Sequence, residues 1–274
     1  MKTIVISGGT DGIGRALAIH ELKAGNQVVV VGRSPEKGRE LADEAARLGA
    51  ADRYHLILAD LALVAENRRV AREVAARFST VDALVLCATY LRMNRAETNE
   101  GIEYSFALAY LSRYVLSHEI APLMAGAPAP VIVNLAVVGA GAKAMNWDDL
   151  MFARKHNGMR AWAQTRRANE LLGIDFAAHT SGGRIRYVFF NPVFVKSNFS
   201  GQFPKPVRFL IKLAGALATP AEKGVLPIAN LIDNPPAEPL TSYKQAKRVD
   251  LPVSPADRED AERLRRETKS LLNE

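Results

Sequence analysis

Short apolar runs alternate along the chain with longer stretches of helical period. The runs 2–7, 27–31, 54–59, 82–88, 130–135 and 184–190 read as strands; 12–25, 35–48, 63–78, 99–124 and 158–180 carry helical spacing. Strands that alternate with helices predict a parallel sheet covered on both faces, with right-handed connections. The expected fold class is therefore α/β, a single doubly wound parallel sheet of Rossmann type. The runs Val28-Val29-Val30-Val31 and Ala83-Leu84-Val85-Leu86 are apolar on both faces, as central parallel strands are.

Punctuation supports these boundaries. Gly25 and Asn26 close the first helix and Gly49 closes the second, while Ser34-Pro35 opens the second with a cap and a proline in its first turn. Ser254-Pro255, with Asp257 as a variant of the capping-box acid, opens a final helix. Asn234-Pro235-Pro236 reads as a turn, and no repeat or linker divides the chain, so 1–274 is expected to form one domain with its nucleotide half at 1–90.

Composition narrows the class. At 274 residues and 48% hydrophobic, the chain is long enough to bury a core without cross-links. Cys87 is the only cysteine, which excludes an internal disulfide and a cysteine-based zinc framework and agrees with a reducing, cytoplasmic home. Thirty-six Lys and Arg against 29 Asp and Glu give a formal charge of +7, which suits anionic ligands such as nucleotides and does not by itself indicate nucleic acid. Met1 and Lys2 lead straight into the first strand, so no targeting segment is expected. The run 131–142 is interrupted by Asn134 and too short to cross a bilayer, so no transmembrane segment is expected either.

The strongest local signal is Ser7-Gly8-Gly9-Thr10-Asp11-Gly12-Ile13-Gly14, which joins the first strand to the first helix. Gly8 permits a tight turn, Gly12 lets the backbone approach a pyrophosphate, and Gly14 lets the helix pack closely on the sheet. The helix N-terminus then offers N–H groups to the phosphates. The second strand ends Val31-Gly32-Arg33-Ser34, without the acid that usually binds the ribose 2′-hydroxyl of NAD. Arg33 and Ser34, with Lys37 as a weaker candidate, favour a 2′-phosphate and so NADP(H) over NAD(H).

With these motifs the chain resembles the short-chain dehydrogenase/reductase superfamily over nearly its whole length. Its turn is similar to that superfamily's Thr-Gly-x-x-x-Gly-x-Gly pattern, with Ser7 for Thr, and Asp60-Leu61 resembles its adenine-contacting pair. Thr98 to Leu116, Asn191-Pro192 to Ser197 and the final helix most resemble the retinol-dehydrogenase-like branch. The resemblance implies that Ser197 sits near the nicotinamide carboxamide and that residues 193–218, with Phe203, Phe209 and Leu210 among Lys205, Arg208 and Lys212, form a substrate lid. It also implies a homo-oligomer through a four-helix bundle built from the helices at 99–124 and 158–180.

The same resemblance locates the chemistry and shows it altered. Family enzymes use Tyr-x-x-x-Lys, with a Ser and an Asn, to deliver a proton as hydride arrives. Here Trp162 takes the Tyr place, Arg166 the Lys place, Val137 the Ser place and Ala109 the Asn place. Cys87-Ala88-Thr89 replaces Asn-Ala-Gly, and Pro192-Val193 replaces Pro-Gly. The Trp indole N–H donates but does not release its proton, and Arg stays charged, so Trp162 and Arg166 are expected to hold an oxyanion or a cofactor hydroxyl rather than to move a proton. Losing general acid catalysis removes about 10²–10⁴-fold in rate. Tyr90, Tyr104, Tyr110 and His156 are the candidate substitute acids; packing is the better reading for Tyr104 and Tyr110, and a surface position for His156. His20, His118 and His179 read as structural, and no metal-ligand spacing occurs. Three functions fit: an atypical NADP(H) oxidoreductase, a catalytically silent NADP(H)-binding sensor or partner protein, and a non-redox enzyme on a small hydrophobic molecule.

Overall fold

A computed structural model describes residues 1–180, 184–193 and 220–274. The first half alternates as the apolar pattern requires: β1 (Thr3–Ser7), α1 (Gly12–Lys23), β2 (Gln27–Gly32), α2 (Pro35–Arg47), β3 (Tyr54–Leu58), α3 (Val64–Arg77) and β4 (Ala83–Leu86). Next come α4 (Tyr104–Phe106), a π-helical turn (Ala107–Leu111) and α5 (Ser112–Met124), then β5 (Val131–Asn134), α6 (Gly158–His179) and β6 (Arg186–Asn191). The chain closes with α7 (Ala221–Gly224), α8 (Leu226–Asp233), β7 (Leu240–Lys244), β8 (Lys247–Val249) and α9 (Pro255–Leu272).

The strands form one sheet in the order β3-β2-β1-β4-β5-β6-β7-β8, parallel except for the antiparallel β7–β8 pair. β1 is flanked by β2 and β4, so the winding reverses there. In an open α/β sheet such a reversal leaves a crevice at the carboxyl ends of the strands, where ligands bind. One apolar layer packs α1, α2 and α8 under the sheet around Leu17, Leu22, Leu41 and Ile228. The other packs α3, α5, α6 and α9 over it around Val70, Leu116, Leu171, Phe176 and Leu264. The expected strands are present; β7 and β8 are additions that the apolar pattern did not mark.

The helix caps are where the sequence placed them. Ser34 Oγ accepts from Lys37 N, and Ser254 and Asp257 form a reciprocal capping box at the start of α9. That last helix lies on α6 and on the π-helical segment. Arg167 pairs with Asp257, Arg265 Nε lies 3.1 Å from Asp175, and the Tyr110 hydroxyl is 2.7 Å from Thr268 Oγ1. Ala261, Leu264 and Leu272 are buried against the same core as Tyr114, Leu172 and Phe176. α9 of the same chain thus packs on α6 and on the π-helical segment, elements within the two stretches that the resemblance names for a bundle between copies. The proposed lid, 193–218, falls outside the described residues except for Val193, and Ser197 lies there too.

Candidate functional site

The crevice at the carboxyl ends of β1 and β4 opens into one cavity of about 580 Å³. Its nucleotide end is shaped by the turn after β1. Gly8 has φ +70°, and a Cβ there would meet the Ala88 backbone nitrogen at 2.8 Å. Gly14 brings α1 so close that a Cβ would meet the Gly8 carbonyl oxygen at 2.4 Å. Asp11 caps α1, accepting from Gly12 N at 2.8 Å with one oxygen while the other pairs with Lys37. The first N–H groups of α1 have no intrahelical partner by construction and face an anion well.

Thr10, Asp11, Gly12, Ile13, Arg33, Ser34, Asp60 and Leu61 line this cavity together with Gly8 and Gly14. Ser7 does not line it. It is buried beneath the turn, where its Oγ accepts from Ala88 N at 3.5 Å and so braces β1 against the end of β4. Asp60 Oδ1 accepts from Ala62 N at 3.0 Å, which shapes the turn leading to α3. Arg33 Nη1 donates to the Tyr104 hydroxyl at 3.1 Å, with its guanidinium 5.7 Å from the Tyr90 ring centre. Both tyrosines line the cavity. Tyr104 is therefore more than the packing residue expected from its apolar helix.

The other end of the same cavity gathers Ala109, Val137, Trp162 and Arg166, drawn from the π-helical turn, the loop after β5 and α6. Arg166 Nε donates to the Val137 carbonyl at 3.1 Å, and its guanidinium lies 5.1 Å from the Trp162 ring centre, a cation–π contact. Val193 also lines the cavity, with φ +58°, a left-handed backbone unusual for a β-branched residue. Its N–H is held by Asn191 Oδ1 at 2.9 Å. The remaining candidate acids lie elsewhere. Tyr110 is fully buried away from the cavity, its hydroxyl pKa driven upward chiefly by burial. His156 does not line the cavity and is not a surface residue: its side chain is 10% exposed, stacks edge-on with Phe152, and has Nε2 3.8 Å from Glu103 Oε1.

A polar cluster that the sequence reading missed lies under this end. Arg113, only 4% exposed, lines the cavity. It donates to Asn134 Oδ1 (2.5 Å), Leu135 O (3.1 Å), Ala88 O (3.3 Å) and Asn169 Oδ1 (3.4 Å). Asn134 Nδ2 donates to the buried Tyr187 hydroxyl at 2.9 Å. Asn169 Nδ2 donates to the Ala109 carbonyl at 2.7 Å, inside the π turn, where a shifted ladder frees such carbonyls. Burial lowers the Arg113 pKa to about 10, leaving it charged at neutral pH, and raises the Cys87 thiol to about 12, leaving it unreactive. A sequence signal for Arg113 did exist: it is the lone charge in the apolar run from Leu111 to Leu116. Among the described residues no group of His, Cys, Asp and Glu stands together as a metal site, and no helix is long and apolar enough to cross a membrane.

Comparison with known proteins agrees with this architecture. The family model of short chain dehydrogenases matches residues 2–149. Mouse retinol dehydrogenase 13 is 25% identical over 185 residues, covering 67% of this chain and 55% of that protein. Human polyprenol dehydrogenase is 22% identical over 171 residues, covering 61% of this chain and 52% of that protein. The chain thus spans about half the length of these curated relatives. Among solved structures, a Shigella flexneri short chain dehydrogenase complexed with NADP superposes with a TM-score of 0.68 at 15% identity, covering 90% of this chain and 97% of that one. A short-chain dehydrogenase from Streptomyces avermitilis gives 0.67 at 19% identity, covering 99% and 94%. Identity that low carries the fold alone; the family model carries membership. Because that model matches more than half of the 274 residues and ends within the loop after β5, the chain belongs to the short-chain dehydrogenase family.

Proposed function

We propose that the protein binds NADP(H) in preference to NAD(H) and is an atypical oxidoreductase in which ordinary carbonyl reduction is weak or absent. The observation that carries the reading is the union, in one cavity, of a phosphate turn and a reaction end without a proton donor of the usual kind. The turn held tight by Gly8 and Gly14 and the N-terminus of α1 that it presents to the cavity suit a pyrophosphate. Arg33 suits a 2′-phosphate, since Lys37 is engaged by Asp11 and no acid stands at 32–34. When bound, the cofactor supplies or accepts hydride. Arg166, fixed by the Val137 carbonyl and the Trp162 ring, is placed to hold a ribose hydroxyl or a developing oxyanion. Val137 offers no hydrogen bond and Trp162 only a donor, so proton delivery falls to water or to a residue outside this set. A small apolar molecule suits the walls formed by Leu108, Leu135, Val137 and Trp162. The reading includes a cytoplasmic location, supported by the presence of a single cysteine, Cys87.

Fluorescence titration tests the nucleotide claim: NADPH is expected to bind about tenfold or more tightly than NADH, and Arg33→Ala to remove most of that gap. Absence of pyridine-nucleotide binding sinks the reading. Absorbance at 340 nm with ketones, aldehydes and quinones then separates an oxidoreductase from a silent binder, because rapid oxidation excludes the latter. The combined change Ala109→Asn, Val137→Ser, Trp162→Tyr and Arg166→Lys is expected to raise carbonyl reduction by about 10²-fold or more.

A further inference from the structure

Arg113 is a buried cation whose hydrogen-bond partners among the described residues are all neutral. Its acceptors are the backbone oxygens of Ala88 and Leu135 and the side-chain oxygens of Asn134 and Asn169; three of these residues line the cavity themselves. Its Nε, also buried, has no hydrogen-bond partner among the described residues. Among the described residues no carboxylate lies within 4.0 Å of its guanidinium. None can come from residues 194–219, which contain no Asp or Glu. Dipoles soften a buried charge but do not cancel it, and a guanidinium left without a counter-ion is costly. Among the described residues the second cation at this end, Arg166, makes one hydrogen bond, from Nε to the Val137 carbonyl, and leaves both Nη groups unspent. The acids of the cavity wall, Asp11 and Asp60, both belong to its nucleotide end, where Asp11 already pairs with Lys37.

We propose that the reaction end of the cavity is an anion site, and that the small molecule taken there carries a carboxylate on an otherwise apolar body. Arg113 and Arg166 supply the charge; Leu108, Val137, Trp162 and Pro192 supply the apolar contact. The carboxylate completes the missing counter-charge, and its oxygens accept from a planar guanidinium whose orientation is already set by the Ala88 and Leu135 carbonyls just past β4 and β5 and by the Asn134 and Asn169 side chains. This deepens the proposed function by naming the substrate class of the same cavity. It also accounts for retaining a cation at the Lys place while losing the phenol: holding an anion needs charge and no mobile proton.

The test is calorimetric titration of the full chain with benzoate, with benzamide as its uncharged counterpart and with inorganic phosphate, each with and without saturating NADPH. Benzoate is expected to bind about tenfold or more tightly than benzamide and to remain bound beside NADPH. Arg166→Gln and Arg113→Gln should each weaken benzoate by about tenfold and leave benzamide unchanged. Thermal melting checks that each variant is folded; Arg166→Gln, at a half-buried position, decides the matter if Arg113→Gln does not fold. Equal affinity for the two probes, no binding of benzoate, or selectivity unchanged in the folded variants overturns the proposal. So does displacement of benzoate by both NADPH and phosphate, which would put the anion in the phosphate turn. Failure of NADPH to bind would sink the nucleotide reading alone, since the benzoate–benzamide comparison is made without it.

Discussion

Gly14 and Val193 are opposite cases of backbone constraint at the two ends of one cavity. A methyl group at Gly14 would sit 2.4 Å from a backbone oxygen that cannot rotate away. Gly14→Ala is therefore expected to destabilise the fold by about 1–3 kcal/mol and to weaken NADPH binding, read by urea unfolding and by titration. Val193 holds a left-handed backbone with a β-branched side chain, where the resembling family has Gly. Such a conformation costs on the order of 1 kcal/mol, so Val193→Gly should raise stability by about that amount in the same unfolding measurement. A fall in stability would mean that the Val193 side chain contributes more by packing than its backbone loses.

Among the elements, α9 has the best-defined start. Burial works against the Asp257 carboxylate, but hydrogen bonds from Ser254 and Arg167 outweigh it and hold its pKa at about 2. The folded value lies below the ordinary 3.8, so the stabilisation is complete above that pH and is lost as pH falls through about 2. Asp257→Asn removes half of the capping box and leaves Arg167, 4% exposed on its side chain, with Glu170 and a distant Asp260. A loss of about 2 kcal/mol at neutral pH is expected. Urea unfolding at a series of pH values should show that difference shrinking as the solution is acidified, because the parent loses the same interaction. The π-helical turn is the other informative element: it directs the Ala109 carbonyl to Asn169, so the backbone makes a polar link at this apolar position of the cavity wall.

For the whole molecule, the docking of α9 decides which surfaces are free. It covers α6 and the π-helical segment with Ala261, Leu264 and Leu272, adding ion pairs from Arg167 and Arg265. The parent protein is therefore expected to sediment without a dimer built on these faces. Leu264, 1% exposed, anchors the helix; Leu264→Asp should undock it, uncover the apolar faces and produce self-association in sedimentation velocity. A parent that dimerises through α6, mapped by cross-linking, would show that α9 moves aside.

Much of this was readable from residue order alone. Continuous apolar runs marked the central strands because both faces of a parallel sheet are covered, and Ser7 to Gly14 marked the phosphate turn because its chemistry is local. Ala109, Val137, Trp162 and Arg166 were singled out by the resemblance to a family pattern, and the fold brings them into one cavity. What local order does not encode is contact between distant residues. Leu240-Thr241-Ser242-Tyr243-Lys244 is too mixed in polarity to announce a strand, and it becomes one by pairing with β6. Ser7 belongs to the turn's motif but is buried against Ala88 and does not line the cavity. Arg113 acquires its meaning only when β4, β5 and α6 converge on its guanidinium, because burial of a charge is a property of the assembled core.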